Sequence, residues 1–165
     1  MKPSPNLPDM GSIYWYPSTC FFEGTNISEG RGTEKPFQIF GAPSLPKNMY
    51  AFTPVSRPGA LSPKYMNEVC YGWNLSADGS PHPGAKIDLH FLLEAYRLYP
   101  DKGNFFIKPK AADKSYFFDK LAGNAKLRQQ VIDGKTEEEI RASWQPALDN
   151  FKQIRKKYLL YEDFE

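Results

Sequence analysis

The stretch Glu23-Gly-Thr-Asn-Ile-Ser-Glu-Gly-Arg-Gly32, set between the apolar runs Tyr16–Phe22 and Pro36–Phe40, decides how the chain is read. It packs two carboxylates (Glu23, Glu29), a guanidinium (Arg31), an amide (Asn26) and two hydroxyls (Thr25, Ser28) among Gly24, Gly30 and Gly32. Glycine takes positive φ at little cost, so the backbone can turn sharply and approach a ligand closely. Such a segment makes a poor helix and a poor strand, and is expected to be a loop. The apolar runs on either side are expected to be strands that hold it. The loop should lie on an open concave face, with Glu23, Asn26, Glu29 and Arg31 pointing into a common volume. It carries no Gly-Lys-Ser/Thr ending, so it is not a phosphate-cradling P-loop.

Working outward, strands are expected at 13–16, 18–23, 37–41, 49–53 and 68–75, the last ending in a turn at Ser76-Ala-Asp-Gly-Ser-Pro81. Residues 1–10 hold prolines at 3, 5 and 8 and read as an extended arm, with the domain proper over 11–165. Thirteen of the 15 prolines precede position 101, so regular helix should concentrate in the last third. Leu89, Leu92, Leu93 and Tyr96 fall on one face of a helix over 86–99, stopped by Pro100. Short helices are expected at 115–121 and 124–132, each followed by a C-terminal glycine, Gly123 and Gly134. Thr136-Glu-Glu-Glu139 is a capping-box pattern that opens a final helix. Ile140, Trp144, Leu148 and Phe151 should form its buried face, with a kink or break at Pro146. The fold class is α+β, a mostly antiparallel sheet from the N-terminal half packed by C-terminal helices.

At 165 residues the chain is one domain, and a net charge of +2 argues against a nucleic-acid binder held by phosphate contacts. No apolar run reaches the roughly 18 residues of a membrane span, and no signal-peptide core is present. Cys20 and Cys70 sit in apolar runs and read as buried free thiols, a single disulfide being the alternative. His82 and His90 are too few for a metal cluster, so neither metal nor cofactor is expected.

The run Tyr16-Pro-Ser-Thr-Cys-Phe-Phe-Glu-Gly-Thr-Asn-Ile-Ser-Glu-Gly-Arg-Gly-Thr-Glu-Lys-Pro-Phe-Gln-Ile-Phe-Gly-Ala-Pro43 resembles the signature of the NamZ-like exo-β-N-acetylmuramidases, bacterial glycosidases of peptidoglycan recycling. Pro3–Pro8, Cys70-Tyr-Gly72, Leu98-Tyr-Pro100 and the tail from Ile140 to Tyr161 resemble the same family. The resemblance covers the family's second half only. It implies a C-terminal domain whose Rossmann-like partner domain lies elsewhere, an active site in the cleft between the two, and a substrate rich in N-acetylmuramic acid. It also implies a bacterial cell-envelope setting.

Glycosidic cleavage usually needs two carboxyl groups, one to protonate the leaving oxygen and one to activate water or attack. Glu23 and Glu29 are the candidates here, for catalysis or, one or both, for binding hydroxyls or orienting Arg31, with an acid of the partner domain performing the proton transfer. N-acetylmuramic acid carries a lactyl carboxylate, which Arg31 could read through a bidentate pair. The alternative for Arg31 is a salt bridge that stiffens the loop. Asn26 could hold the N-acetyl group or a hydroxyl, or could simply be a turn residue. Thr25, Ser28, Gly30 and Gly32 complete the candidate binding set. Tyr14, Trp15, Tyr71 and Trp73 are candidate sugar-stacking rings, each with core packing as the alternative. Two other functions stay open for the chain: a non-catalytic carbohydrate-binding module and a purely structural partner domain.

Overall fold

A computed structural model describes residues 4–76, 86–111 and 114–162. The turn expected over Ser76–Pro81 lies outside these residues beyond Ser76. The elements in chain order are α1 (Met10–Thr19), a 3-10 turn (Cys20–Gly24), β1 (Ile39–Ala42), β2 (Tyr50–Phe52), β3 (Cys70–Asn74), α2 (His90–Leu98), α3 (Phe117–Ala122), α4 (Lys126–Ile132) and α5 (Glu137–Arg155). The architecture is α+β, as the sequence suggested. The sheet is antiparallel with strand order β1-β3-β2 and the pairs Phe40↔Trp73, Gly41↔Gly72 and Phe52↔Cys70.

The strands expected at 13–16 and 18–23 are a helix and a 3-10 turn instead. Asp9 caps α1 by accepting from the Ser12 amide at 2.8 Å. The residues α1 buries are Ser12, Trp15, Ser18 and Thr19, and Pro17 is accommodated inside the helix. Thr19 Oγ1 bonds the Trp15 and Phe37 carbonyls, both at 2.9 Å, which ties α1 to the stretch leading into β1.

The core is aromatic. Phe22 stacks on Phe40 (4.7 Å between centroids) and Phe40 on Trp73 (5.2 Å), while Phe105, Phe106 and Phe118 pack edge to face beside them. From this core the backbone of residues 24–28 is sewn on both sides. Ser28 exchanges hydrogen bonds with Gly41 of β1 (2.7 and 3.0 Å). Asn26 N–H donates to Phe105 O at 2.8 Å and Ile107 N–H to Gly24 O at 3.0 Å. The first half of the polar decapeptide is therefore an inner segment between β1 and residues 105–107.

The helical end largely follows the sequence. The capping box of α5 is formed on both sides, Thr136 with Glu139. Gly123 and Gly134 take φ of 77° and 69°, closing α3 and α4. Asp119 and Arg128 join α3 to α4 through a two-armed pair of 2.8 and 3.0 Å, with the guanidinium over the Tyr116 ring. The expected buried face of α5 stops early, however. Ile140 is fully buried and Trp144 half-buried, but Leu148 and Phe151 are exposed, and Pro146 does not end the helix.

Candidate functional site

The second half of the decapeptide brings charge together. Arg31 Nη2 donates to Glu23 Oε2 at 2.9 Å, and Arg31 Nε lies 3.5 Å from Glu29 Oε1. One guanidinium thus spans both carboxylates. Two glycines make this geometry possible. Gly30 has φ of +80°, and a Cβ there would sit 2.1 Å from the Ile39 carbonyl oxygen. Gly32 has φ of +81° and abuts Val55 O and Pro63.

A fourth charge comes from a distant loop. Lys64 Nζ lies 2.8 Å from Phe22 O, 2.9 Å from Thr25 O, 3.1 Å from Ile27 O and 3.4 Å from Glu23 O. Glu29 Oε2 stands 3.0 Å away on the remaining side. That contact is an ion pair out of line for a good hydrogen bond, since Oε2 has no aligned donor. Five oxygens therefore surround one ammonium, and the 22–27 backbone is pinned by a side chain. The next residue, Tyr65, adds a hydrogen bond from its hydroxyl to Asn26 O at 2.8 Å.

The backbone around this cluster is strained. Phe37 (φ 64°) and Tyr65 (φ 55°) both occupy the left-handed region that bulky residues rarely enter. Phe37 receives the Arg31 guanidinium over its ring at 5.4 Å and donates its N–H to Glu29 O at 2.8 Å. Tyr16 lies edge-on to Phe37 at 4.8 Å and is partly exposed beside the charges.

The charges of the cluster act on one another. Burial pushes the Glu23 carboxyl above the usual range; Arg31 opposes this and the Glu29 charge adds to it. Burial holds the Lys64 ammonium below its ordinary value, against the pull of Glu29 and Glu23. Burial, then the Glu23 charge, push the Cys20 thiol up to about 11. Tyr16 is raised in the same way, with Arg31 opposing.

The expected open face is not what forms. Thr25, Ile27, Ser28, Glu29, Gly30 and Gly32 are buried, while Glu23, Asn26 and Arg31 are partly exposed. Glu23, Glu29 and Arg31 do converge. Asn26 turns away, its amide donating to Asn104 O at 2.6 Å. Thr25 Oγ1 bonds Phe22 O at 2.9 Å and Ser28 Oγ accepts from Gly30 N–H at 3.2 Å, so both hydroxyls serve the loop's own backbone. Trp15 is buried edge-on to Phe91, and Trp73 lies within the aromatic core. Both cysteines are free thiols. Lys64 escaped the sequence reading because it stands alone between Pro63 and Tyr65, 37 or more positions from the carbonyls it binds. Tyr16 escaped because it was read as part of a strand.

Among known proteins, the family described as exo-beta-N-acetylmuramidase NamZ, C-terminal, matches residues 14–161. The chain is 36% identical over 171 positions to the peptidoglycan beta-N-acetylmuramidase NamZ of Bacillus subtilis (strain 168), covering 96% of this chain and 40% of that protein. Its structure resembles a DUF1343 family protein from Bacteroides fragilis NCTC 9343 solved at 1.30 Å, with a TM-score of 0.86 and 43% identity over 98% of this chain and 44% of the other. A second DUF1343 protein from the same organism, 22% identical with a TM-score of 0.68, shares the fold. The chain spans less than half the length of these relatives.

Proposed function

Because the chain belongs to the NamZ C-terminal family, we propose that it is the substrate-binding half of an exo-β-N-acetylmuramidase, presenting Arg31 and Glu23 to a terminal N-acetylmuramic acid. The observation that supports this reading is the unfinished coordination of Arg31. Its Nη2 is held by Glu23 and its shielded Nε faces Glu29 at 3.5 Å, but a third of the side chain is exposed and open to a ligand. A lactyl carboxylate reaching the exposed part of the guanidinium would add a charge-assisted bond. Glu23 lies beside the same fork and can accept a hydrogen bond from a sugar hydroxyl. Glu29, between Arg31 and Lys64, keeps the two cations in place. The exposed edge of Tyr16 offers a flat apolar wall for the sugar ring. The rest of the catalytic machinery would come from the longer part of the relatives' sequence, so the chain alone should turn over a muramic acid β-glycoside poorly.

A second reading, a structural partner domain, is favoured by the Arg31–Glu23 bond itself, which would stiffen the loop with no ligand present. An NMR titration of the chain separates the two. N-acetylmuramic acid should shift the resonances of Glu23, Glu29 and Arg31, and N-acetylglucosamine should shift them less. Arg31→Ala should remove that preference and cost about tenfold to a hundredfold in affinity, the worth of one charge-assisted bond. No response to either sugar, with Arg31→Ala lowering only the melting temperature, leaves Arg31 a strut and ends the binding proposal.

A further inference from the structure

On the other side of Gly32 from the charged cluster lies a cavity of about 340 Å³. None of Glu23, Glu29, Arg31 or Lys64 lines it. Its walls come from three separate segments: the N-terminal arm (Pro5, Asn6, Pro8), the loop after the cluster (Gly32, Thr33, Glu34, Pro36) and the turn at Arg57–Ala60. These segments are tied together. Asn6 Nδ2 donates to Gly59 O at 2.8 Å, Val55 N–H to Gly32 O at 2.9 Å, and Arg57 and Ala60 exchange backbone bonds of 3.1 and 2.9 Å. The arm is anchored at its far end by Asp9, which accepts from Gln38 at 2.9 Å and pairs with Lys35 at 3.3 Å.

Four of the lining residues are prolines, which give an apolar wall with no N–H of its own. The cationic group on this wall is Arg57. Among the described residues its shielded Nε has no hydrogen-bond partner, and its Nη2 pairs with Glu34 Oε1 at 3.5 Å, Glu34 being 80% exposed. Such a surface pair is weak and easily displaced. A guanidinium held this loosely keeps exposed donors for a ligand, and a carboxylate is the ligand whose geometry matches its fork.

We infer that this proline-walled cavity is a second binding site, for a carboxylate carried on a small apolar body such as an N-acylated amino acid or short peptide acid, with Arg57 as its reader. Arg31 and Gly32 are adjacent in sequence, so the cavity begins one residue from the proposed sugar site. The site itself stands on the cavity and Arg57 alone.

The test uses the whole chain and three probes, N-acetyl-D-alanine, N-acetylmuramic acid and N-acetylmuramoyl-L-alanyl-D-isoglutamine, each followed by amide and arginine Nε–Hε resonances. The acylated amino acid should shift the Arg57 Nε–Hε signal and the amides of Gly32, Thr33 and Ala60. Arg57→Gln, on an exposed turn, should weaken this binding at least tenfold and leave N-acetylmuramic acid binding unchanged. The muramoyl peptide, whose lactyl carboxyl is tied up as an amide, should shift the Arg57 signal through its free peptide carboxylate and leave the Arg31 signal with no carboxylate to read. If the peptide acid moves Arg57 while no sugar moves Arg31, the cavity is a carboxylate site and the muramic acid reading fails. If neither the acid nor the muramoyl peptide moves Arg57, or Arg57→Gln changes nothing, the cavity is no such site and the inference is overturned.

Discussion

At the scale of single residues, the charged cluster makes Glu23 and Lys64 separately testable. The Glu23 proton is held more tightly in the folded than in the unfolded chain. Its contribution to stability is therefore fully present below its unfolded value, ordinarily about 4.3, and is lost as pH rises through the folded value. A carboxyl-carbon NMR titration should place its midpoint above the ordinary range. Arg31→Ala should move that midpoint up and Glu29→Gln should move it down, because Arg31 and Glu29 act in opposite directions. A midpoint at the ordinary value in the wild type would contradict the burial argument. Lys64→Met keeps the stem and removes the cation from five oxygens. Removing one partner of a buried pair costs about 3–5 kcal/mol; a quarter of the Lys64 side chain remains exposed, so a loss of roughly 2–3 kcal/mol is expected by denaturant unfolding. Glu23, Glu29 and Arg31 were legible in the sequence because they fall within nine residues of one glycine-rich polar stretch. Lys64 was not, because nothing local marks a lysine that folds back across 37 residues.

At the scale of elements, β1, β2, β3 and the helices after residue 86 were legible, and α1 was not. Amphipathic helices are recognised by large apolar residues recurring on one face. The buried face of α1 is Ser12, Trp15, Ser18 and Thr19, at helical spacing but with three hydroxyls, so a hydrophobicity pattern passes over it. Pro17 and the aromatic residues around it then argue for a strand, and tertiary contacts prevail. The turns are sharper in what they forbid. Gly123→Ala meets nothing within 4 Å and should lose only the cost of a left-handed alanine, about 1 kcal/mol. Gly30→Ala adds to that cost a 2.1 Å contact with the Ile39 carbonyl, at the point where the loop turns back along β1. It should lose several-fold more, and thermal melting of the two variants side by side checks the contrast. Equal losses would mean that the Gly30 turn can open without disturbing β1.

At the scale of the whole molecule, the sequence identified an apolar face on α5 but could not show what covers it, since periodicity reports a stripe and not its partner. Ile140 is completely buried, whereas Leu148, Phe151, Ile154 and Tyr158 are exposed, Phe151 at 57% and Tyr158 at 77%. Ile140→Ala should cost about 2–5 kcal/mol as a core truncation. Phe151→Ser should change unfolding by no more than about 0.5 kcal/mol. A large loss from Phe151→Ser would mean that the stripe is packed within the chain after all. The same stripe also governs how the protein behaves in bulk. A net charge of +2 gives neighbouring molecules little repulsion, so the exposed apolar side chains, those of α5 among them, weigh on the forces between them. The osmotic second virial coefficient of the chain, measured by light scattering, should be negative and should rise on Phe151→Ser with no change in melting. Solubility and folding stability are then controlled from opposite ends of one helix.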